Sequence, residues 1–150
     1  FPTRRSSDLQ WSKTYECGHA EIDQQHRNLF AKANQLLQMN SKDASKENIA
    51  TIIKELLEET VAHFAYEEQI LEQLAHPDTS VHALSHRRLL DKTNILLDKL
   101  QRGGADLAAL LHFMIYELTA QHIMIDDRCF GKITISEAEP DHNQDGRAPD

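Results

Sequence analysis

The chain has 150 residues, of which 40% are apolar and only five are glycine, and a chain of this size forms one domain around one core. Its formal net charge of −8 disfavours nucleic acid and anionic membrane surfaces as partners. No apolar run approaches the roughly 20 residues of a membrane-spanning helix, and no signal peptide is recognisable, so we expect a cytoplasmic protein.

Residues 1–9 (FPTRRSSDL) contain no initiator Met and show no apolar period. They are similar to the translation of a sequencing-library adapter, and we interpret them as an artefact outside the fold. Under this interpretation the native N-terminus is missing, and an upstream signalling domain can be missing with it. The predicted domain spans residues 10–131 and begins with an ordered arm that runs to Gly18.

Four amphipathic helices are predicted after the arm, each with inward positions in steps of three and four residues. The first helix begins at about His19, and its inward stripe contains Ile22, His26, Leu29, Ala33 and Leu36. Ser45 or Asp43 is the predicted N-cap of the second helix. The inward stripe of the second helix contains Ile49, Ile53, Leu56, Thr60, His63, Glu67, Ile70 and Leu74.

The second helix is predicted to end at His76, because proline disfavours helical geometry in the residue before it. The third helix covers residues 79–101, with His82, His86, Leu89, Thr93, Leu96 and Leu100 inward. Asp106 or a neighbour opens the fourth helix, with Leu107, Leu111, Met114, Leu118, His122 and Ile125 inward. Short connections between such helices predict an all-α, antiparallel up-down-up-down four-helix bundle. Residues 132–150 are acidic and polar, which predicts a disordered tail.

The inward stripes of all four helices carry polar groups where apolar residues are expected. A lone inward histidine is usually a hydrogen-bonded core residue. Here five histidines and a glutamate share the inward phase, and burying them unpaired would cost on the order of several kcal/mol each. The pairs His63 with Glu67 and His82 with His86 each project from one face of a helix, which predicts half of a metal site.

Three metal chemistries compete for this pattern. A zinc metalloprotease needs Glu directly after the first His of its HxxxH motif, whereas Ala83 follows His82. A closed structural zinc site uses four ligands and would leave several of these groups unused. Carboxylate-rich di-iron enzymes use Glu-x-x-His, whereas this set is mostly imidazole. An imidazole-rich di-iron centre favours reversible dioxygen binding over oxygenation.

Four motifs in this order resemble those of the hemerythrin family, in its bacterial branch: IDQQH ending at His26, HFAYE from His63, HALSH from His82 and HIMIDD from His122. The resemblance spans about residues 11–130. It implies a non-haem di-iron centre with an oxo or hydroxo bridge that binds dioxygen in a carrier, a store or a sensor, and no enzyme. It also implies one iron on His82, His86 and His122, a second on His26 and His63, and bridging by Glu67 and Asp127.

Two positions in the fourth helix leave alternatives open. Helix geometry favours Asp126, four residues after His122, as the carboxylate ligand, whereas the family pattern selects Asp127. We choose Asp127 and expect a π-bulge or a loosened last turn there. Thr119 stands where the family usually has a Leu that lines the dioxygen pocket. Its hydroxyl either faces the bound ligand or bonds to the backbone.

Other hypotheses from the sequence remain beside this one. The site can belong to a di-iron enzyme that reduces peroxide or nitric oxide, to an oxygen or redox sensor domain of a larger protein, or to a bundle with another metal or none. Asp23 and Gln25 either orient ligand imidazoles or have capping and solvated roles. Cys17 and Cys129 are interpreted as two reduced thiols, with a disulfide as the alternative. The histidines without a predicted ligand role are His19, His76, His112 and His142.

Overall fold

The computed structural model describes residues 9–39, 45–104, 106–128 and 130. After a 3-10 turn at Lys13–Tyr15, three α-helices follow, which we call α1 (Ala20–Met39), α2 (Lys46–Gln73) and α3 (Thr79–Gln101). The fourth helix, α4, has three consecutive parts: α-helix at Leu107–His112, π-helix at Phe113–Gln121 and α-helix at His122–Ile125. The predicted tail lies outside the described residues, as do residues 1–8.

The helices form the predicted four-helix bundle. Helix α1 packs against α2 and the π-helical part of α4, and α3 packs against α2 and α4, so consecutive helices are neighbours in a closed ring. Over the part of the chain that the structure describes, no helix is long and apolar enough to cross a membrane.

Local signals in the sequence explain where the helices begin. The Ser45 side chain accepts a hydrogen bond from the Asn48 N–H at 3.1 Å, which confirms Ser45 as the N-cap of α2. The Asp106 carboxylate accepts one from the Ala108 N–H at 3.0 Å and caps α4 as predicted. These bonds satisfy N–H groups that have no partner within the first turn of a helix.

The arm before α1 is ordered, as predicted. The Asp23 carboxylate accepts hydrogen bonds from the N–H groups of Cys17 at 2.8 Å and Gly18 at 3.1 Å. Gly18 has φ +90°, a conformation that glycine adopts without strain. Asp23 therefore fixes the arm to α1, and within the described residues its carboxylate bonds to the arm instead of a predicted ligand imidazole.

The arm also closes over the side of the bundle. The backbone of Leu9 exchanges two hydrogen bonds with the Asn34 side chain, at 2.7 and 2.6 Å. The Trp11 ring stands perpendicular to the Phe30 ring, with 5.2 Å between centroids. The ordered arm thus includes Leu9, one residue before the predicted start of the domain.

Two apolar clusters divide the bundle along its length. The main core contains Leu36 at the end of α1, Ile49 at the start of α2 and Leu110 in α4, and therefore fills one half. A smaller end cluster contains Cys17, Ile22, Leu71 and Phe130. The positions between these clusters are those of the predicted metal ligands.

Two of the predicted inward positions are wrong. Leu74 is 44% exposed and Ile125 is 54% exposed, whereas Leu71 and Ile123 are buried. Leu74 lies just after the last residue of α2. Ile125 follows the π-helix, whose i→i+5 hydrogen bonds widen each turn and shift the phase of later residues. A strict 3.6-residue period therefore fails at these two places.

We expect Ala75→Gly to stabilise the fold by about 1 kcal/mol, because Ala75 has φ +47°, a left-handed conformation that costs an L-residue roughly 1–2 kcal/mol. Denaturant unfolding of the metal-free chain measures the change. Ala50→Gly is the matched control: Ala50 lies exposed inside α2, where glycine should destabilise by about 1 kcal/mol. Equal losses in both variants would contradict the argument.

Candidate metal centre

The predicted ligands converge between the main core and the end cluster. Helix α1 provides His26, α2 provides His63 and Glu67, α3 provides His82 and His86, and the end of α4 provides His122 with Asp127 just beyond it. All seven side chains are at most 5% exposed. The four helices therefore bring every predicted ligand residue into one buried cluster.

The cluster consists of two groups whose nitrogen and oxygen atoms lie within 4.8 Å of one another. The three-imidazole group contains His82, His86, His122, Glu67 and Asp127. The two-imidazole group contains His26, His63, Glu67 and Asp127. Both carboxylates belong to both groups.

Each shared carboxylate presents one oxygen to each group. Glu67 Oε1 lies 3.1 Å from His63 Nε2, and Glu67 Oε2 lies 3.1 Å from His82 Nε2. Asp127 Oδ2 lies 2.8 Å from His26 Nε2, and Asp127 Oδ1 lies 3.1 Å from His122 Nε2. This division of the oxygens is what a carboxylate needs to bridge two cations.

Several of these buried atoms have no aligned hydrogen-bond partner within the described residues, although they lie close together. They are Glu67 Oε1, both carboxylate oxygens of Asp127, and Nε2 of His86 and His122. Such atoms are rare in folded proteins and costly when left unsatisfied. Imidazole nitrogens and carboxylate oxygens together suit first-row transition metals, so the residues present fit two metal ions.

Electrostatics keep the carboxylates ionised despite their burial. Burial raises the pKa of Glu67 and Asp127, yet the surrounding imidazoles hold the pKa of both well below the usual range. Burial lowers the pKa of His63, but Glu67 and Asp127 raise it to about 9. The carboxylates are therefore already in the anionic form that binds metal ions. A metal that binds here displaces protons from the imidazoles.

The end of α4 explains why Asp127 and not Asp126 enters the cluster. The His122 carbonyl accepts the N–H of Asp126 at 2.8 Å and also that of Asp127, five residues on, at 3.3 Å. The second bond is the i→i+5 bond of a π turn, so the expected loosened last turn is present. Asp126 instead accepts hydrogen bonds from His122 Nδ1 at 2.9 Å and from the Ser85 hydroxyl at 2.7 Å.

Outer side chains hold the imidazole rings in place. Gln25 Oε1 lies 2.9 Å from His63 Nδ1, which is the contact that the predicted orienting role of Gln25 requires. Glu68 Oε1 lies 2.7 Å from His86 Nδ1. The sequence prediction missed Glu68 and Ser85, for which the only signal was their position next to a ligand residue.

Comparison with known proteins agrees with this geometry. A family model described as the hemerythrin HHE cation binding domain matches residues 17–133. The chain belongs to the hemerythrin family. A bacteriohemerythrin of Stenotrophomonas maltophilia is 26% identical over 122 residues, which cover 81% of this chain and 78% of that protein. A bacteriohemerythrin of Pseudomonas aeruginosa is 28% identical over 124 residues, with 79% and 76% coverage. A hemerythrin-like protein of Naegleria gruberi is 31% identical over 84 residues, with 56% and 65% coverage.

Thr119 of this hemerythrin domain is buried in the π-helix, three residues before His122. Its hydroxyl donates a hydrogen bond to the Met114 carbonyl at 2.8 Å, which is the backbone-bonded alternative of the two considered. The side chain therefore satisfies its own polar atom within the π-helix.

The remaining histidines stay outside the cluster wherever the structure describes them. His19 Nδ1 lies 3.4 Å from the Ile22 N–H at the start of α1, and His112 is exposed on α4. His76 lies in the turn between α2 and α3. His142 lies outside the described residues.

We expect the Cys17 thiol of the folded domain to react with iodoacetamide at pH 8 about a thousandfold more slowly than that of the unfolded chain. Cys17 is buried and free of disulfide within the described residues, and burial raises its pKa from 9.0 to about 12, so little thiolate forms. Peptide mass spectrometry measures its labelling separately from that of Cys129, which lies outside the described residues. Equal rates in both states would contradict the shift.

Proposed function

We propose that this hemerythrin domain binds two iron ions and that dioxygen binds reversibly at this di-iron centre. One ion would lie on His82, His86 and His122, the other on His26 and His63, with Glu67 and Asp127 bridging. The observation that carries the proposal is the sharing of both carboxylates between the two ligand groups. The identity of the metal as iron rests on the family.

The chemistry of the donor set favours binding over oxygenation. The residues of the two groups would hold a pair of ferrous ions, which would supply the two electrons that reversible dioxygen binding needs. Five neutral imidazoles and two carboxylates give less negative charge than a carboxylate-rich site, which supports highly oxidised metal states less well. The chain itself holds these donors in fixed positions and shields them from water between two apolar clusters. Carriage, storage and sensing of dioxygen all use such a site.

The proposal is tested by loading the chain with ferrous iron without air and then cycling it between air and argon. We expect about two irons per chain and a visible spectrum that appears in air and disappears under argon over repeated cycles. Fewer than two irons, or irreversible bleaching in the first cycle, would contradict the proposal. Sustained consumption of peroxide or nitric oxide with a reductant would favour the enzyme alternative.

A pair of histidine variants provides the matched control. His86→Gln removes a proposed ligand of the three-imidazole group and should abolish the spectrum. His112→Gln changes an exposed histidine of α4 and should leave iron content and spectrum as in the wild type. Loss of iron in both variants would point to binding by surface histidines.

A further inference from the structure

The imidazoles of the cluster differ in the charge of the side chains that bond to their Nδ1 atoms, which we call outer partners. In the three-imidazole group, Nδ1 of His86 bonds to the Glu68 carboxylate at 2.7 Å and Nδ1 of His122 bonds to the Asp126 carboxylate at 2.9 Å. In the two-imidazole group, Nδ1 of His63 bonds to a neutral amide, that of Gln25, at 2.9 Å.

The other imidazole of the two-imidazole group, His26, also lacks an anionic partner. The buried Nδ1 of His26 has no hydrogen-bond partner among the described residues. The three-imidazole group therefore has at least two anionic outer partners, whereas neither ring of the two-imidazole group has one at Nδ1 within the described residues.

Both kinds of partner are held in a defined orientation. Asp126 also accepts a hydrogen bond from the Ser85 hydroxyl at 2.7 Å. The Gln25 amide group donates to Glu21 Oε1 at 3.2 Å, which leaves its oxygen for His63. Glu21, one turn earlier in α1, thus orients the Gln25 amide so that its oxygen accepts from His63.

A hydrogen-bond acceptor at Nδ1 changes how strongly Nε2 of the same imidazole ring binds a metal ion. A carboxylate attracts the Nδ1 proton more strongly than an amide does, because its hydrogen bond is charge-assisted. Electron density then rises on Nε2, and the imidazole becomes a more basic ligand. The outer partners therefore act on the two groups unequally.

We propose that Glu68 and Asp126 make the three-imidazole group the tighter of two metal positions, and that the neutral amide of Gln25 keeps the two-imidazole group the weaker. The two positions then fill in order. All three are positioning residues, since they act through an imidazole. This inference rests on the proposed function, namely that the cluster binds two metal ions.

Titration of the metal-free full chain with Co²⁺ against a competing chelator tests the order of filling. The visible absorption of Co²⁺ reports each step without dioxygen binding. For the wild type we expect two steps, the first at least about tenfold tighter than the second. A single unresolved step, or two steps of equal affinity, would overturn the proposal.

Variants then assign each step to its outer partner. Glu68→Gln keeps the shape of the side chain but removes its charge, and should weaken only the first step, by about 10–100-fold. The double variant Glu21→Gln with Gln25→Glu exchanges an acid and an amide at constant net charge. It should strengthen only the second step, by about tenfold. Glu21→Gln alone is measured beside it, and the effect of the new carboxylate is the difference between the double and the single variant.

A structural effect is separated from the proposed one by two further measurements. Glu58→Gln removes an exposed charge from α2 that pairs with Lys54 and should move neither step. In the Co²⁺-loaded chain, the proton resonance of the imidazole Nδ1–H next to the changed residue should shift, while those of other imidazoles stay. A change in both steps together, with a lower unfolding midpoint of the metal-free variant, would overturn the assignment.

The outcomes distinguish this inference from the function on which it rests. A wild type that binds fewer than two Co²⁺ ions contradicts the proposed di-metal function. A wild type that binds two ions, with affinities that neither Glu68→Gln nor the exchange variant alters, contradicts the inference alone. If Glu68→Gln does not fold, the exchange variant on α1 still decides it.

Discussion

Asp127→Asn should abolish binding of the metal pair, with a loss of affinity of more than about a hundredfold, beyond the 10–100-fold typical of outer partners. Asp127 is 1% exposed and directs Oδ2 towards His26 and Oδ1 towards His122. Asparagine keeps the shape but loses the negative charge, and its NH₂ group cannot act as a ligand. Metal analysis after iron loading and desalting measures the loss.

The neighbouring residue provides the control for this substitution. Asp126→Asn should retain about two metal ions at saturating metal and bind them more weakly, since the hydrogen bonds of Asp126 within the described residues go to the outer nitrogen of His122 and to the Ser85 hydroxyl. Circular dichroism should show both variants folded without metal. If Asp126→Asn lost the metal while Asp127→Asn kept it, the assignment of Asp127 would be wrong.

The four-helix bundle was predictable because its determinants are local. The stripe from Ile22 to Leu36 identifies the inward face of α1, and all five of its predicted members are buried. Ser45 and Asp106 marked helix starts because such side chains accept hydrogen bonds from the N–H groups of a first turn. Pro77 correctly marked the turn between α2 and α3, although α2 already ends at Gln73, before the predicted end at His76.

The predicted ligand residues were accessible to sequence reasoning because helical spacing places i and i+4 on one face. This rule was sufficient for His63 with Glu67 and for His82 with His86, since both pairs lie on regular α-helix. It favoured Asp126 over Asp127 and was therefore insufficient in α4. The family pattern was needed there.

The length of the π-helix at Phe113–Gln121 could not be predicted from the sequence. No glycine or proline lies within it, and i→i+4 and i→i+5 bonds use the same backbone groups. The choice between them depends on packing against α1 and α3, which no local pattern encodes. The burial of Ile123 in place of Ile125 follows from it.

The outer partners Glu68 and Ser85 were missed for a related reason. Each bonds to a residue of a different helix, Glu68 to His86 and Ser85 to Asp126. Their roles depend on the rotation and height of α2, α3 and α4 relative to one another. Gln25 stands next to His26, whereas Asp23 lies three residues before it and bonds to the arm instead.

Metal loading should raise the free energy of unfolding of this domain by several kcal/mol. An ion that binds only the folded chain contributes about 4 kcal/mol when its free concentration is a thousandfold above the dissociation constant. The seven predicted ligand side chains come from α1, α2, α3 and the end of α4 with the segment just beyond it, so the unfolded chain does not assemble them. The buried oxygens of Glu67 and Asp127 that have no aligned partner would then be satisfied by the metal.

Trp11 makes this stabilisation measurable. It is the sole tryptophan, and its ring centroid lies 6.4 Å from that of His26, so its fluorescence reports both unfolding and occupation of the site. Denaturant unfolding with Co²⁺ should shift to higher denaturant, and excess chelator should reverse the shift. Asp127→Asn should unfold at the same denaturant concentration with and without Co²⁺. An unchanged midpoint in the wild type at saturating metal would show that the ions bind the unfolded chain equally well, which is incompatible with a site that the bundle assembles.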